Sequence, residues 1–236
     1  MIRIKQEEAW LTRFAAREGL DLVISDNRYG LVVPGVFSVF ITHQLLIRTP
    51  FGRPADLLLQ RLNYRYIRRF SRCWVPDIPG VEGLAGELSH PLRMPSIPTR
   101  YLGLLSRMEL RPVSEQVDIL VLLSGPEPQR SMLERRILQQ AAALSGRIVL
   151  LRGLPGGGMA LKNVPSPITV YDHLPAVELG RVMAGARLVV ARSGYSTVMD
   201  LARMRKAAVL IPTPGQTEQE YLGRYLAARG WAVCVR

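Results

Sequence analysis

The chain has 236 residues, 48% hydrophobic and 21% charged, the composition of a globular protein with one large domain or two small ones. No apolar run approaches the ~20 residues of a membrane-spanning helix; the longest, Leu31 to Ile41, is broken by Pro34 and Gly35, and the opening MIRIKQEE lacks the apolar core of a secretory signal. Lysine plus arginine number 31 against 19 acids, a net charge of +12 that favours anionic partners without choosing among nucleic acid, lipid and phosphorylated small molecules, while two distant cysteines, Cys73 and Cys234, argue against a disulfide framework or metal cluster and fit a reducing cytoplasm.

Helical spacing over Ile4 to Glu18 gives an apolar stripe of Ala9, Trp10, Phe14 and Ala15, and Gly19 ends it. Short apolar strands are predicted at DLVIS and FSVFIT, the second running into His43-Gln44. A long helix is predicted from Ala55 to Arg72, with Leu58, Leu59, Leu62, Tyr66 and Phe70 as apolar positions and Arg61, Arg65, Arg68, Arg69 and Arg72 along it. That basic face could simply be solvated, rest on anionic lipid or bind nucleic acid. RCWV is a third strand. Pro76 to Pro98 is irregular, with one helical turn near Glu82 to Leu88 and His90 on the surface, and Arg100 to Val113 is a connector.

From Val117 the pattern is regular. Strands VDILVLL, RIVLL, ITVYD, RLVVA, AAVLI and WAVCV alternate with helices over Gln129 to Leu144, Ala176 to Ala184, Ser196 to Arg205 and Thr217 to Ala228. Strands alternating with helices across short loops predict a parallel α/β sheet buried on both faces. Two Rossmann-like units result, residues 1–110 and 111–236, the first lacking an opening strand and phosphate loop.

Ligands of open α/β sheets bind at the carboxyl ends of the strands, and four polar loops lie there: SGPEPQR, His173-Leu174-Pro175 after ITVYD, RSGYST and PTPGQTEQE. RSGYST follows RLVVA: Gly194 permits close backbone approach, and a helix opening at Ser196 or Thr197 offers free amides to a phosphate, with Asp200 one turn on for a ribose. The same residues also fit an ordinary capped helix, with Ser196 or Thr197 as cap and Asp200 as capping-box acid. PTPGQTEQE follows AAVLI; Thr217 and Glu220 can form a capping box, whereas Gln216 and Gln219 suit sugar hydroxyls. In SGPEPQR, Gln129 and Arg130 could reach phosphate oxygens, or Arg130 could be a surface charge. GLPGGG has no Lys-Ser/Thr and reads as a flexible loop.

The order SGPEPQR, YDHLP, RLVVARSGYSTVMDLA and IPTPGQTEQEYL resembles the C-terminal, donor-binding domain of MurG-like glycosyltransferases of the GT-B fold, glycosyltransferase family 28. The likeness covers 117–236 and extends more weakly to DLVISDNRYG and ITHQ in the acceptor-side half. It implies a GT-B fold of two Rossmann-like parallel-sheet domains, the first incomplete, and a metal-independent transfer of sugar from a nucleotide, UDP by the family pattern, to an acceptor hydroxyl. It places uracil near His173 and Leu174, the diphosphate at Tyr195, Ser196 and Thr197, the ribose on Asp200, and the sugar at Gln216 to Glu220, with Gln219 and Glu220 where the peptidoglycan enzyme has a Gln pair. Arg192, Ser193 and Gly194 match the family's strand-end signature.

The sequence also departs from the family. Gly125-Pro126-Glu127 stands where the family has Gly-Gly-Ser, and Asp200 where it usually has Glu. The glycine loop ending in a catalytic-side His, and the C-terminal helices that pack back, have no counterpart, so the resemblance implies a chain starting midway through the acceptor domain. His43 is the candidate general base, by position alone. The alternatives are a nucleotide-sugar hydrolase of the same fold and a non-catalytic nucleotide-binding fragment. No cofactor, metal or nucleic acid is expected. The acceptor would be lipid-linked or a polysaccharide, and the helix at 55–72 would touch the inner membrane face from the cytoplasm.

Overall fold

The structure, a computed structural model, describes residues 2–81, 83–110, 112, 116–141, 143–161 and 164–235. The chain divides into two compact units, Met1–Leu105 and Ser106–Arg236, each with its own sheet of parallel strands.

The first unit runs α1 (Ile2–Glu18), β1 (Leu22–Asp26), β2 (Phe37–Ile41), α2 (Arg53–Ile67), β3 (Arg72–Val75) and β4 (Thr99–Tyr101), its strands paired in the order β1-β2-β3-β4. Phe40, Leu45, Ile67, Phe70 and Cys73 form its core, and burial pushes the Cys73 thiol up to about 12, so it is a packing group and not a nucleophile. α1 buries Leu11 and Ala15, while Ala9 and Trp10 are exposed, so the predicted stripe is rotated by about one position. β4 runs from Thr99 into the start of the predicted connector at Arg100; three residues are too few to show a period, and only pairing to β3 defines it.

α2 differs most from expectation. It spans Arg53–Ile67 and not 55–72, and its buried residues are Asp56, Gln60, Asn63 and Ile67. Leu58 and Leu62, predicted to face the core, are 59% and 44% exposed. The inward face is polar because it must satisfy the loop before it. Asp56 accepts from the Thr49 amide at 2.7 Å and from Arg48 at 3.0 Å, and Asn63 donates to the Gln44 carbonyl at 2.8 Å while accepting from the Tyr29 hydroxyl. Buried backbone groups need partners, and this demand overrides apolar periodicity.

The Pro- and Gly-rich stretch after β3 is ordered by Asp77, whose side chain is fully buried. It accepts from the amides of Ile78, Leu84 and Ala85 and from the Ser89 hydroxyl, all between 2.5 and 3.0 Å. A one-turn 3-10 helix at Gly86–Leu88 follows, and Glu82, where the predicted turn begins, lies outside the described residues.

The second unit runs β5 (Val117–Leu122), α3 (Gln129–Ala141), β6 (Ile148–Leu151), β7 (Ile168–Tyr171), α4 (Ala176–Gly185), β8 (Ala186–Ala191), α5 (Tyr195–Arg203), β9 (Ala208–Leu210), α6 (Thr217–Ala228) and β10 (Val233–Cys234). The sheet order is β10-β9-β8-β5-β6-β7. The chain builds outward from β5 to β7, then returns to β5's other side with β8 and builds the opposite way. Between β5 and β8 the connections diverge, opening a crevice at the strands' carboxyl ends. Fully buried Leu120, Leu150, Val189 and Leu210 fit strands covered on both faces.

Asp77→Ala would strand the buried amides of Leu84 and Ala85, the partly buried amide of Ile78 and a hydroxyl. We expect it to lower unfolding free energy by about 3 kcal/mol or more in urea titration, whereas Leu58→Ser, on the exposed face of α2, should leave it unchanged within about 0.5 kcal/mol.

Candidate functional site

The divergence between β5 and β8 brings together the Ser124–Gln129 loop, the start of α5 and the turn after β9. α5 begins at Tyr195 with Gly194 as N-cap, and no side chain caps it. This corrects the capping alternative: Ser196 and Thr197 lie inside the first turn, and Asp200, sixth in the helix, is no capping-box acid. The Val198 amide bonds the Gly194 carbonyl, which leaves the amides of Ser196 and Thr197 projecting from the helix end. A Cβ built on Gly194 would meet nothing within 4 Å, so the space before those amides is open. Ser196 is exposed and Thr197 half-buried, whereas the Tyr195 side chain is turned into the core.

Arg192 lies at the end of β8 and is only 4% exposed. Its guanidinium donates to the carbonyls of Ile211 at 3.1 Å, Pro212 at 3.0 Å and Gln129 at 3.1 Å, clamping the ends of three segments. Among the described residues it has no carboxylate partner, and its Nε is buried without a hydrogen bond. Burial pulls its pKa below the usual arginine value. A buried cation without a counter-ion is costly, and this one sits beside the positive end of α5. Both features favour an anion here.

Two more unpartnered polar atoms belong to these loops: Gln129 Oε1 and Thr213 Oγ1, the latter on a side chain 1% exposed. Gly125, at φ 100°, lies so close that a Cβ there would sit 3.5 Å from Thr213 Oγ1. Thr213 was not among the sequence candidates. Its place in PTPG suggests only a turn; its amide is held by Gln219 of α6.

The α6 segment holds this turn. Gln216 is the N-cap of α6, so Thr217 is its first residue and not its cap. Gln219 accepts from the Thr213 amide at 2.9 Å and donates to Gln216 Oε1 at 2.6 Å, Glu220 accepts from the Gly215 amide at 3.0 Å, and Ser193 donates to the Gln219 carbonyl at 2.7 Å. Gln216 and Gln219 thus have a structural task that composition did not reveal, and Glu220 bonds the turn where a capping box was expected.

Arg130 requires the largest correction. It is buried and bonds Glu134 at 2.8 Å and Glu127 at 2.6 Å, so its guanidinium is occupied inside the unit and does not reach toward a phosphate. Arg152 bonds the same Glu134 at 2.8 Å and Asp172 at 2.6 Å. Burial alone would raise the Glu134 carboxyl, but hydrogen bonds from Arg152 and Arg130 hold it below the usual value. Arg152 also donates to the Met159 carbonyl, and Asp172 accepts from the Gly158 amide, so GLPGGG is tied down at its end. Next to Asp172, His173 is exposed and Leu174 is buried.

Asp200 is half-buried and accepts from the Ser106 hydroxyl at 2.6 Å. Burial raises its carboxyl above the usual range, with Ser106 and the Arg107 charge partly opposing. No sequence signal joins these two residues, which are 94 positions apart. In the first unit, His43 stands half-buried in the loop after β2. His90, expected at the surface, is stacked on Tyr101 at 4.7 Å, with Gly83 against its ring edge. Among the described residues no group of three His, Cys, Asp or Glu side chains is placed to hold a metal.

Residues 160–236 match the glycosyltransferase family 28 C-terminal domain. A UDP-N-acetylglucosamine–N-acetylmuramyl-(pentapeptide) pyrophosphoryl-undecaprenol N-acetylglucosamine transferase of Methylobacterium sp. (strain 4-46) is 34% identical over 137 residues, 58% of this chain and 33% of the relative. The protein of the same name from Acidiphilium cryptum (strain JF-5) is 27% identical over 178 residues, 71% of this chain and 47% of the relative. The chain therefore spans between a third and about half the length of these curated relatives. Among solved structures, the glycotransferase of kitacinnamycin superposes with a TM-score of 0.66 at 16% identity, over 97% of this chain and 67% of the other. Acinetobacter baumannii MurG gives 0.59 at 15%, over 99% and 65%. At such identities the likeness is one of fold, the GT-B fold.

Gly194→Ala would put a methyl group into open space at an N-cap where alanine is only mildly unfavourable, costing about 1 kcal/mol or less. We expect a melting temperature near that of the parent together with weaker anion protection, read as a smaller thermal shift with inorganic pyrophosphate.

Proposed function

We propose, from the match of residues 160–236 to the glycosyltransferase family 28 C-terminal domain, that the second unit holds the nucleotide-sugar donor, a UDP-sugar, of an enzyme that transfers the sugar to an acceptor hydroxyl without a metal. The observation that carries this reading is Arg192, a buried cation with no carboxylate partner among the described residues, beside the uncapped start of α5. In the transfer, the acceptor oxygen bonds the anomeric carbon, the bond from that carbon to the diphosphate oxygen breaks, the nucleoside diphosphate leaves, and the acceptor proton passes to a base. Negative charge grows on the leaving diphosphate. The amides of Ser196 and Thr197 and the field of Arg192 would meet it with donors already oriented, the arrangement that lowers such barriers most.

In this reading the uracil lies near His173 and Leu174, and Asp200, oriented by Ser106, accepts from ribose hydroxyls through the acceptor capacity that Ser106 leaves free. The sugar faces the turn that Gln216, Gln219 and Glu220 hold in shape, so these residues act on the donor through a prearranged loop. The names of the relatives support a UDP-linked N-acetylhexosamine donor and a lipid-linked acceptor. Exposed Leu58 and Leu62, with the arginines of α2, would give a peripheral contact with an anionic membrane surface.

Thermal shift against UDP-, GDP- and dTDP-sugars tests the donor; stabilisation by none of them would end the proposal. Asp200→Asn should weaken UDP binding by about tenfold to a hundredfold, the worth of hydrogen bonds to a charged group. The variant should not lower the melting temperature at neutral pH. Because the folded carboxyl is raised, its contribution to stability is complete below the unfolded carboxylate range and is lost as pH rises through the folded value. Asparagine removes that loss. Parent-like UDP affinity by calorimetry would refute the ribose role.

A further inference from the structure

Among the described residues β7 is the outer strand of its sheet, paired with β6 alone, so no further strand steadies the loop that leaves it. That loop carries His173 and Leu174. Its first residue, Asp172, is held by side-chain bonds instead: Oδ1 accepts from Arg152 at 2.6 Å and Oδ2 from the Gly158 amide at 2.9 Å. We propose that Arg152, Asp172 and Gly158 are positioning residues for the nucleoside-binding loop, and that GLPGGG is the strap they fasten to it. The inference rests on the donor reading, because the base that this loop would meet is the donor's.

Arg152 is the anchor. Only 7% of its side chain is exposed, and it donates to Glu134 at 2.8 Å and to the Met159 carbonyl at 2.9 Å as well as to Asp172. Glu134 in turn accepts from Arg130 at 2.8 Å, and Arg130 donates to Glu127 at 2.6 Å. Five ionised side chains of alternating sign therefore run from the loop after β5, past the end of β6, to the loop after β7. The last of them, Asp172, is 36% exposed, where an ion pair contributes little to stability. What it fixes is direction, since its two oxygens tie β7's loop to two separate points of the segment after β6.

The glycine run explains itself in the same terms. Backbone bonds already join the two loops, from the Arg152 amide to the Tyr171 carbonyl at 2.9 Å and from the Leu154 amide to the Asp172 carbonyl at 2.8 Å. A Cβ on Gly158 would lie 2.8 Å from Arg152 Nη1 and 2.6 Å from Leu154 Cδ1, so glycine is what lets the guanidinium lie against the strap and still reach Asp172. Gly156 and Gly157 meet nothing within 4 Å. The strap is thus open at its tip and fastened at its end, beside the residues that would meet the base. Recognition at such a site depends on the supporting groups holding the backbone to within about half an ångström.

Calorimetry of the full chain with UDP and with inorganic pyrophosphate tests the proposal. Gly158→Ala pushes a methyl group against the flexible ends of Arg152 and Leu154, which displaces the guanidinium at little cost to folding. Asp172→Asn removes the charge that Arg152 and the Gly158 amide meet. Each variant should weaken UDP about tenfold and leave pyrophosphate, which has no base, within about twofold of the parent. Arg187→Ala, which breaks only an exposed pair with Asp118, should change neither affinity. A role confined to stability would lower the melting temperature and keep the ratio of the two affinities constant. Parent-like UDP affinity in both variants, or equal losses of UDP and pyrophosphate, would overturn the proposal; if Asp172→Asn does not fold, Gly158→Ala decides alone. Failure of UDP to bind the parent protein would end the donor reading and this one with it, whereas UDP binding that neither variant alters ends this one alone.

Discussion

The Arg192 guanidinium sets the geometry of the second unit. It leaves the end of β8 and holds the Ile211, Pro212 and Gln129 carbonyls, so the loops on both sides of the sheet's divergence are fixed by one buried cation. Its hydrogen-bonding is directed at backbone, and its charge is answered by no carboxylate among the described residues. Contrast Arg130 and Arg152, which share Glu134 and recruit Glu127 and Asp172 besides. The unit thus contains two buried basic clusters of opposite character. The one at α3 is electrically closed and serves the fold. The one at β8 is open, and the fold tolerates it where an anion would complete it.

This contrast explains which parts of the site could be read from sequence. The alternation of short apolar strands with helices specified a parallel sheet, while the return of the chain to β5's other side at β8 is visible only in the strand pairing. RSG and the following Ser and Thr located the helix start to within one residue. Arg130 has acids three and four residues away, Glu127 and Glu134, at the spacing at which helical side chains pair, so its pairing is local. Arg192 has no such neighbour, and its carbonyl partners lie 19, 20 and 63 positions away. Thr213 and Ser106 were invisible because their contacts are likewise distant in the chain. Each gains its meaning from a partner distant in the chain: Gly125 in one case and Asp200 in the other.

In the first unit the difference at α2 has a single cause. Periodicity assumes that a helix turns its apolar side inward, and α2 does not. The loop from His43 to Gly52 crosses beneath it with backbone groups that need partners, and Asp56 and Asn63 supply them. The irregular stretch after β3 repeats the principle with Asp77 at its centre. Both regions look like poor sequence for structure because their order comes from buried polar side chains, whose partners no local pattern specifies.

The polar packing of α2 also bears on how the helix is held. Ile67, with the partly buried Tyr64, anchors it in the apolar cluster of Phe40, Leu45 and Phe70, while its other buried residues, Asp56, Gln60 and Asn63, are hydrogen-bonding groups. Changing one of these strands a named partner and removes little contact area, so the hold of the helix on the loop before it can be altered one hydrogen bond at a time.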